Sequence, residues 1–175
     1  TNNYSKYRNR KVRILNGSHS SLAPLCFLLN IQYVDQALNN DLIDTYWKGL
    51  LFNEILPSLP YPEDEMAEFA FTVIERFKNP YLKHEWEKIL LNATAKVRAR
   101  VLPSLLDFYT SQKQLPPFLC FAFALFLRYM YIKKKEKDQF WGIKENGEEY
   151  LIKDEAEIND FFYQTWADIN LNRRG

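Results

Sequence analysis

Glycine is scarce in this chain, with five in 175 residues, while apolar residues recur in long runs at helical spacing. Glycine serves tight turns and positive-φ backbone, so its rarity leaves little room for the many sharp connections of an all-β fold. A mostly α protein follows. Apolar residues make up 47% of the chain and aromatics 16%, enough for burial to drive folding of one helical domain spanning 1–175.

Punctuation by proline sets the expected elements. A first helix is expected from Gly17-Ser18 to Leu29, bent or delayed by Pro24. Another runs from Asp41 to Leu56 and stops at Pro57. Pro62 followed by Glu63, Asp64 and Glu65 reads as a helix start, because the acids complement the positive end of the helix dipole. That helix should turn Phe69, Val73, Ile74 and Phe77 inward. Further helices are expected over Tyr81–Asn92, after Pro103, after Pro116-Pro117, and over Asp154–Asp168 with Ile158, Phe161, Phe162 and Trp166 on one side. Lys133 to Lys137 reads as a solvated helix end. Phe140 to Ile152, flanking Asn146-Gly147, is the exception, and a small two-stranded hairpin is expected over 140–152.

Charge and cysteine usage narrow the function classes. A net charge of +1 argues against nucleic acid or an anionic membrane as the main partner. Leu115–Ile132 is apolar but carries Arg128 and is marginal in length, so it reads as a core helix rather than a membrane span. Cys26 and Cys120 sit in apolar stretches as isolated thiols, which suits a reducing cytoplasm. No metal is expected, since His84 beside Glu85 and Glu87 lacks a third ligand at a recognisable spacing. The polar, basic first 13 residues do not resemble a signal peptide. The start without methionine, in mid-run, suits a chain cut from something longer. The sequence holds neither a GxGxxG nor a Walker A loop, so a nucleotide would have to be held elsewhere.

The chemistry concentrates in Lys11-Val12-Arg13-Ile14-Leu15-Asn16-Gly17-Ser18-His19. Asn16 and His19 are three apart at an expected helix start and share one face; Lys11, five residues earlier, reaches them if the intervening segment is extended and then turns. Hydride transfer between an alcohol and a carbonyl needs a group to exchange the hydroxyl proton and donors to hold the oxygen as it gains charge. A desolvated lysine can do the first, and an amide beside a helix N-terminus the second. A histidine can orient a second hydroxyl. Each residue also has a plainer reading, as a solvated charge, a helix cap and a satisfied core histidine, and spacing alone does not choose.

The string KVRILNGSHSSLAP, with Lys11, Asn16 and His19, resembles the start of the C-terminal domain of the polyol-specific long-chain dehydrogenases, the group containing mannitol dehydrogenase, fructuronate reductase and tagaturonate reductase. ERFKNPYLKHEW (Glu75 to Trp86) and LNATAKVRARVLPSLLDF (Leu91 to Phe108) resemble the tagaturonate reductase branch; the mannitol branch has aspartate-glycine-serine where this chain has Asn92-Ala93-Thr94. The resemblance implies a helical domain that supplies most of the substrate site, with NAD bound by an N-terminal Rossmann-type domain absent from this chain. It implies Lys11 as general acid/base, Asn16 polarising the reacting oxygen and His19 contacting substrate, in the NADH-dependent reduction of D-tagaturonate to D-altronate. A sugar acid also wants a cation at its carboxylate, for which Lys83, His84, Lys96, Arg98 and Arg100 are the candidates, or else these form a solvated face. The alternatives are a fructuronate reductase or mannitol dehydrogenase half, or a helical protein-interaction module.

Overall fold

The computed structural model describes residues 2–172. Its helices are α1 (Asn2–Arg10), α2 (Gly17–Leu28), α3 (Val34–Ala37), α4 (Asp41–Lys48), α5 (Glu63–Phe77), α6 (Trp86–Ile89), α7 (Ala93–Arg100), α8 (Leu102–Gln112), α9 (Pro117–Tyr129) and α10 (Ala156–Asn172). Three strands, β1 (Ile132–Glu136), β2 (Gln139–Ile143) and β3 (Glu149–Leu151), form one antiparallel sheet in the order β1-β2-β3. The expected mostly α fold with a small hairpin is what the chain adopts.

The first helix corrects the expected start at Gly17. Arg10, Asn16 and Gly17 are all right-handed helical, so α1 and α2 form one rod joined by a π-helical segment, Lys11–Asn16. The Gly17 amide donates to the Val12 carbonyl five residues back, the π repeat. Asn16 therefore caps nothing, and no helix N-terminus stands beside it. The segment between Lys11 and Asn16 is wound, not extended. Packing is close at Gly17, where a Cβ would sit 3.3 Å from the Arg100 carbonyl.

A second π segment, Gly49–Ile55, continues α4 and ends in a 3₁₀ turn, Leu56–Ser58. It delivers Glu54 into the interior, where its carboxylate accepts from the Phe118 amide at 2.8 Å and the Leu119 amide at 2.6 Å. These are the orphan donors at the start of α9, whose Pro116-Pro117 entry offers no side-chain cap. Burial pushes the Glu54 carboxyl up, against the pull of those two amides. At α7, Asn92 is left-handed (φ 52°), and Asp154, from beyond the sheet, accepts from the Thr94 amide at 2.8 Å.

The core lies around α2, which packs on α6, α7 and α9, with Trp47, Trp86, Leu22, Leu50, Leu119 and Met130 fully buried. From α5, Val73, Ile74 and Phe77 are buried as expected, and Phe69 is half-buried. Four expectations change. Residues 81–85 are not helical, and α6 is one short turn. Lys133–Glu136 are strand, not helix end, and Lys137 and Asp138, with φ of 47° and 64°, make the two-residue turn of a β1-β2 hairpin that the sequence did not announce. The sheet therefore has three strands rather than two. Phe161 faces out at 62% exposure while Phe162 packs on the core. No described helix is long and apolar enough to cross a membrane.

Candidate functional site

Three segments distant in sequence meet around His19. Its ring stacks on Phe77 (centroids 4.0 Å apart, 12° between planes), and Phe77 stacks in turn on Trp47 (4.8 Å, 6°). His84 and Trp86 stand edge-on to it at 6.1 and 6.2 Å. His84 is held there by main-chain pairing: its carbonyl accepts from Val34, and Trp86 donates from its amide to Gln32 and from its indole to Tyr33. Burial, with the charges of His84 and Arg100, pushes the His19 pKa down to about 3. The ring is thus neutral near pH 7. Its Nε2 is buried with no hydrogen-bond partner.

Beside this stack is a cavity of about 420 Å³, open to solvent and lined by Leu15, Asn16, His19, Lys83, His84, Glu85, Lys88, Ile89, Lys96 and Arg100. Asn16 and His19 enter it from adjacent turns of one helix. Lys96 and Arg100 enter from α7, where a four-residue separation puts them on one face. Four cations against the single carboxylate of Glu85 give the lining an excess of positive charge suited to an anionic ligand. Some of that charge is already engaged. Lys83 lies 3.7 Å from Asp35, and Lys88 pairs with Glu85 at 2.9 Å. Lys96 donates to the Ile89 carbonyl at 2.8 Å, and Arg100 to Ser20 Oγ at 3.2 Å. Burial lowers both the Lys96 ammonium and the Arg100 guanidinium from their ordinary pKa values, Lys96 helped by its neighbour Arg100.

Six of the eight residues singled out in the sequence therefore line one cavity. Lys11 does not line it; it is exposed, one π turn from Asn16 along the same rod. Arg98 departs furthest. It sits two residues from both Lys96 and Arg100, hence around the helix, and lines a separate apolar groove of about 530 Å³ with Phe123, Phe126, Phe162 and Trp166. Sequence reasoning missed Glu85 and Lys88. The apolar triplet Trp86, Ile89, Leu90 was the available signal, since it fixes the inner face of α6 and places Lys88 at its edge. Among the described residues no three His, Cys, Asp or Glu side chains gather as a metal site would require.

The class is a mostly helical domain built around this cavity, and the chain belongs to the mannitol dehydrogenase C-terminal domain family, whose model matches residues 3–168. Within that class it is similar to the altronate oxidoreductase of Halalkalibacterium halodurans, at 34% identity over 98% of this chain, and to that of Klebsiella pneumoniae strain 342, at 38% over 92%. The chain spans about a third of these relatives, 33% and 31% of their lengths. Its backbone superposes on the Pseudomonas fluorescens mannitol 2-dehydrogenase, solved with NAD and D-mannitol, with a TM-score of 0.75 and 24% identity. That match covers 89% of this chain and 30% of the other.

Proposed function

We propose that this chain is the substrate-binding half of an NAD-dependent reductase that interconverts D-tagaturonate and D-altronate, joined to a nucleotide-binding domain it does not itself contain. The observation that carries the reading is the convergence of Asn16 and His19 on a cavity with a surplus of cations. Similarity to the altronate oxidoreductases supports the choice of a sugar acid over a neutral polyol. The cavity size suits a small ligand, and the chain lacks a glycine-rich phosphate cradle, which supports a cofactor held mainly by another domain.

When bound, the nicotinamide supplies or accepts the hydride. This chain's residues manage the oxygen. Lys11 gives a proton to the carbonyl oxygen during reduction and takes it back during oxidation. The Asn16 amide donates to the same oxygen as negative charge develops. His19, neutral and with Nε2 unspoken for, holds a second hydroxyl. Lys96 and Arg100, with Lys83, His84 and Lys88 around them, face the carboxylate. Arg98 is the candidate that this geometry supports least. The free thiols of Cys26 and Cys120 support a cytoplasmic setting.

The test is NADH consumption by the full-length protein with tagaturonate, fructuronate and fructose side by side. A strong preference for tagaturonate is expected, together with loss of turnover but retained NADH binding in Lys11→Ala, and no turnover by this chain alone. Activity only on fructose or fructuronate would reassign the substrate to those branches. Near-normal turnover in Lys11→Ala would remove the role given to that lysine. Inactivity on all three would favour the second reading, a helical interaction module, for which the apolar groove beside Arg98 is the supporting observation.

A further inference from the structure

The helix between Lys11 and Asn16 is π-wound. In an α-helix, residues five apart point about 140° away from each other. A five-residue hydrogen-bond repeat instead places them one turn apart. Such segments are rare and persist where the surroundings fix them. Arg13 stands in the middle of the segment. Its side chain is 12% exposed and reaches two other elements. Nε donates to Ser104 Oγ at 2.6 Å, Nη2 donates to Ser58 Oγ at 3.2 Å, and Nη2 lies 2.9 Å from Asp107 Oδ2. Ser104 is fully buried, and Ser58 Oγ is itself fixed by donating to the Ile55 carbonyl at 2.7 Å. The planar guanidinium fork satisfies α8 and the 3₁₀ turn at once, which a single ammonium on a flexible stem cannot do in the same geometry.

We propose that Arg13 is a positioning residue: through its clamp on Ser58, Ser104 and Asp107 it holds the π turn that sets Lys11 over Asn16. This rests on the reading of Lys11 as the acid/base. Without the clamp the segment relaxes toward α winding and Lys11 swings around the rod, away from the oxygen it serves.

The experiment compares Arg13→Gln, Arg13→Lys, Asp107→Asn and Ser104→Ala in the full-length protein, beside Lys11→Ala. Steady-state kinetics across pH and thermal midpoints are measured for each. Arg13→Gln is expected to lose about 100-fold in kcat, the scale of a misplacement near 1 Å, with KM within about threefold. The shape of its kcat–pH profile should move toward that of Lys11→Ala, which a loss of stability alone would not cause. Arg13→Lys should fail to restore kcat, and Ser104→Ala, which changes no charge, should lose about tenfold by the same argument. If Arg13→Gln does not fold, Ser104→Ala and Asp107→Asn carry the comparison. An inactive Lys11→Ala beside unaltered kcat and pH profiles in the folded clamp variants would overturn this proposal alone. Near-normal turnover of Lys11→Ala would overturn the parent reading and this one with it.

Discussion

His19 shows how a single side chain acquires properties its neighbours in sequence do not confer. The ring could be singled out from its spacing to Asn16, but the stack that buries it comes from Phe77 and Trp47, which no local pattern connects to residue 19. The consequence is measurable in stability. Below an ordinary pKa near 6.5 the unfolded chain takes up a proton that the folded chain, at about 3, refuses. The unfolded state then binds more protons, so stability from this group is complete above about pH 6.5 and falls as the pH drops toward 3. The slope approaches about 1.4 kcal/mol per pH unit within that window. Urea unfolding at pH 7, 6 and 5 should show His19→Asn with a shallower loss than the parent chain. Equal slopes would mean that His19 is not the group responsible. The cation candidates were less legible than His19, because alternation in sequence groups Lys96, Arg98 and Arg100, whereas helical winding separates the middle one from the other two.

Elements announced by their termini were readable and those defined by internal winding were not. Pro62 with its three acids, and Pro116-Pro117, mark the starts of α5 and α9 correctly. The π segments leave no such mark, because their apolar residues continue the helical rhythm; the true beginning of the first rod was lost in a polar run. β1 was hidden because four of its five residues are charged. The cap on α9 was equally invisible, since its acceptor lies more than 60 residues upstream. Removing it should be costly: Glu54→Ala leaves two donors of α9 without their acceptor inside the core, and a loss of about 3 kcal/mol is expected from urea unfolding. Glu54→Gln, which keeps one acceptor oxygen, should lose less. Equal stability of Glu54→Ala and the parent would show that α9 finds another cap.

For the molecule as a whole, the helical class and the signature with its flanks were in the sequence, while the cavity was not, because its walls come from segments some 80 residues apart that only the folded core brings together. The π join between α1 and α2 also bears on chain length. A π turn is an α-helix carrying one residue more than the rod needs, and the flanking helices keep their angular phase across it. Deleting Val12 would let the rod become α throughout with the lysine and the asparagine four apart, still one turn from each other. Inserting a residue there would turn α1 by about 100° and carry Lys6 and Arg10 away from Glu65, which they now face. The deletion should therefore unfold at a higher temperature than the insertion, and the reverse order would mean that the extra residue is not surplus. On this account the five-residue spacing between Lys11 and Asn16 and the bulge in the rod are a single trait: a helix that has grown by one without changing direction.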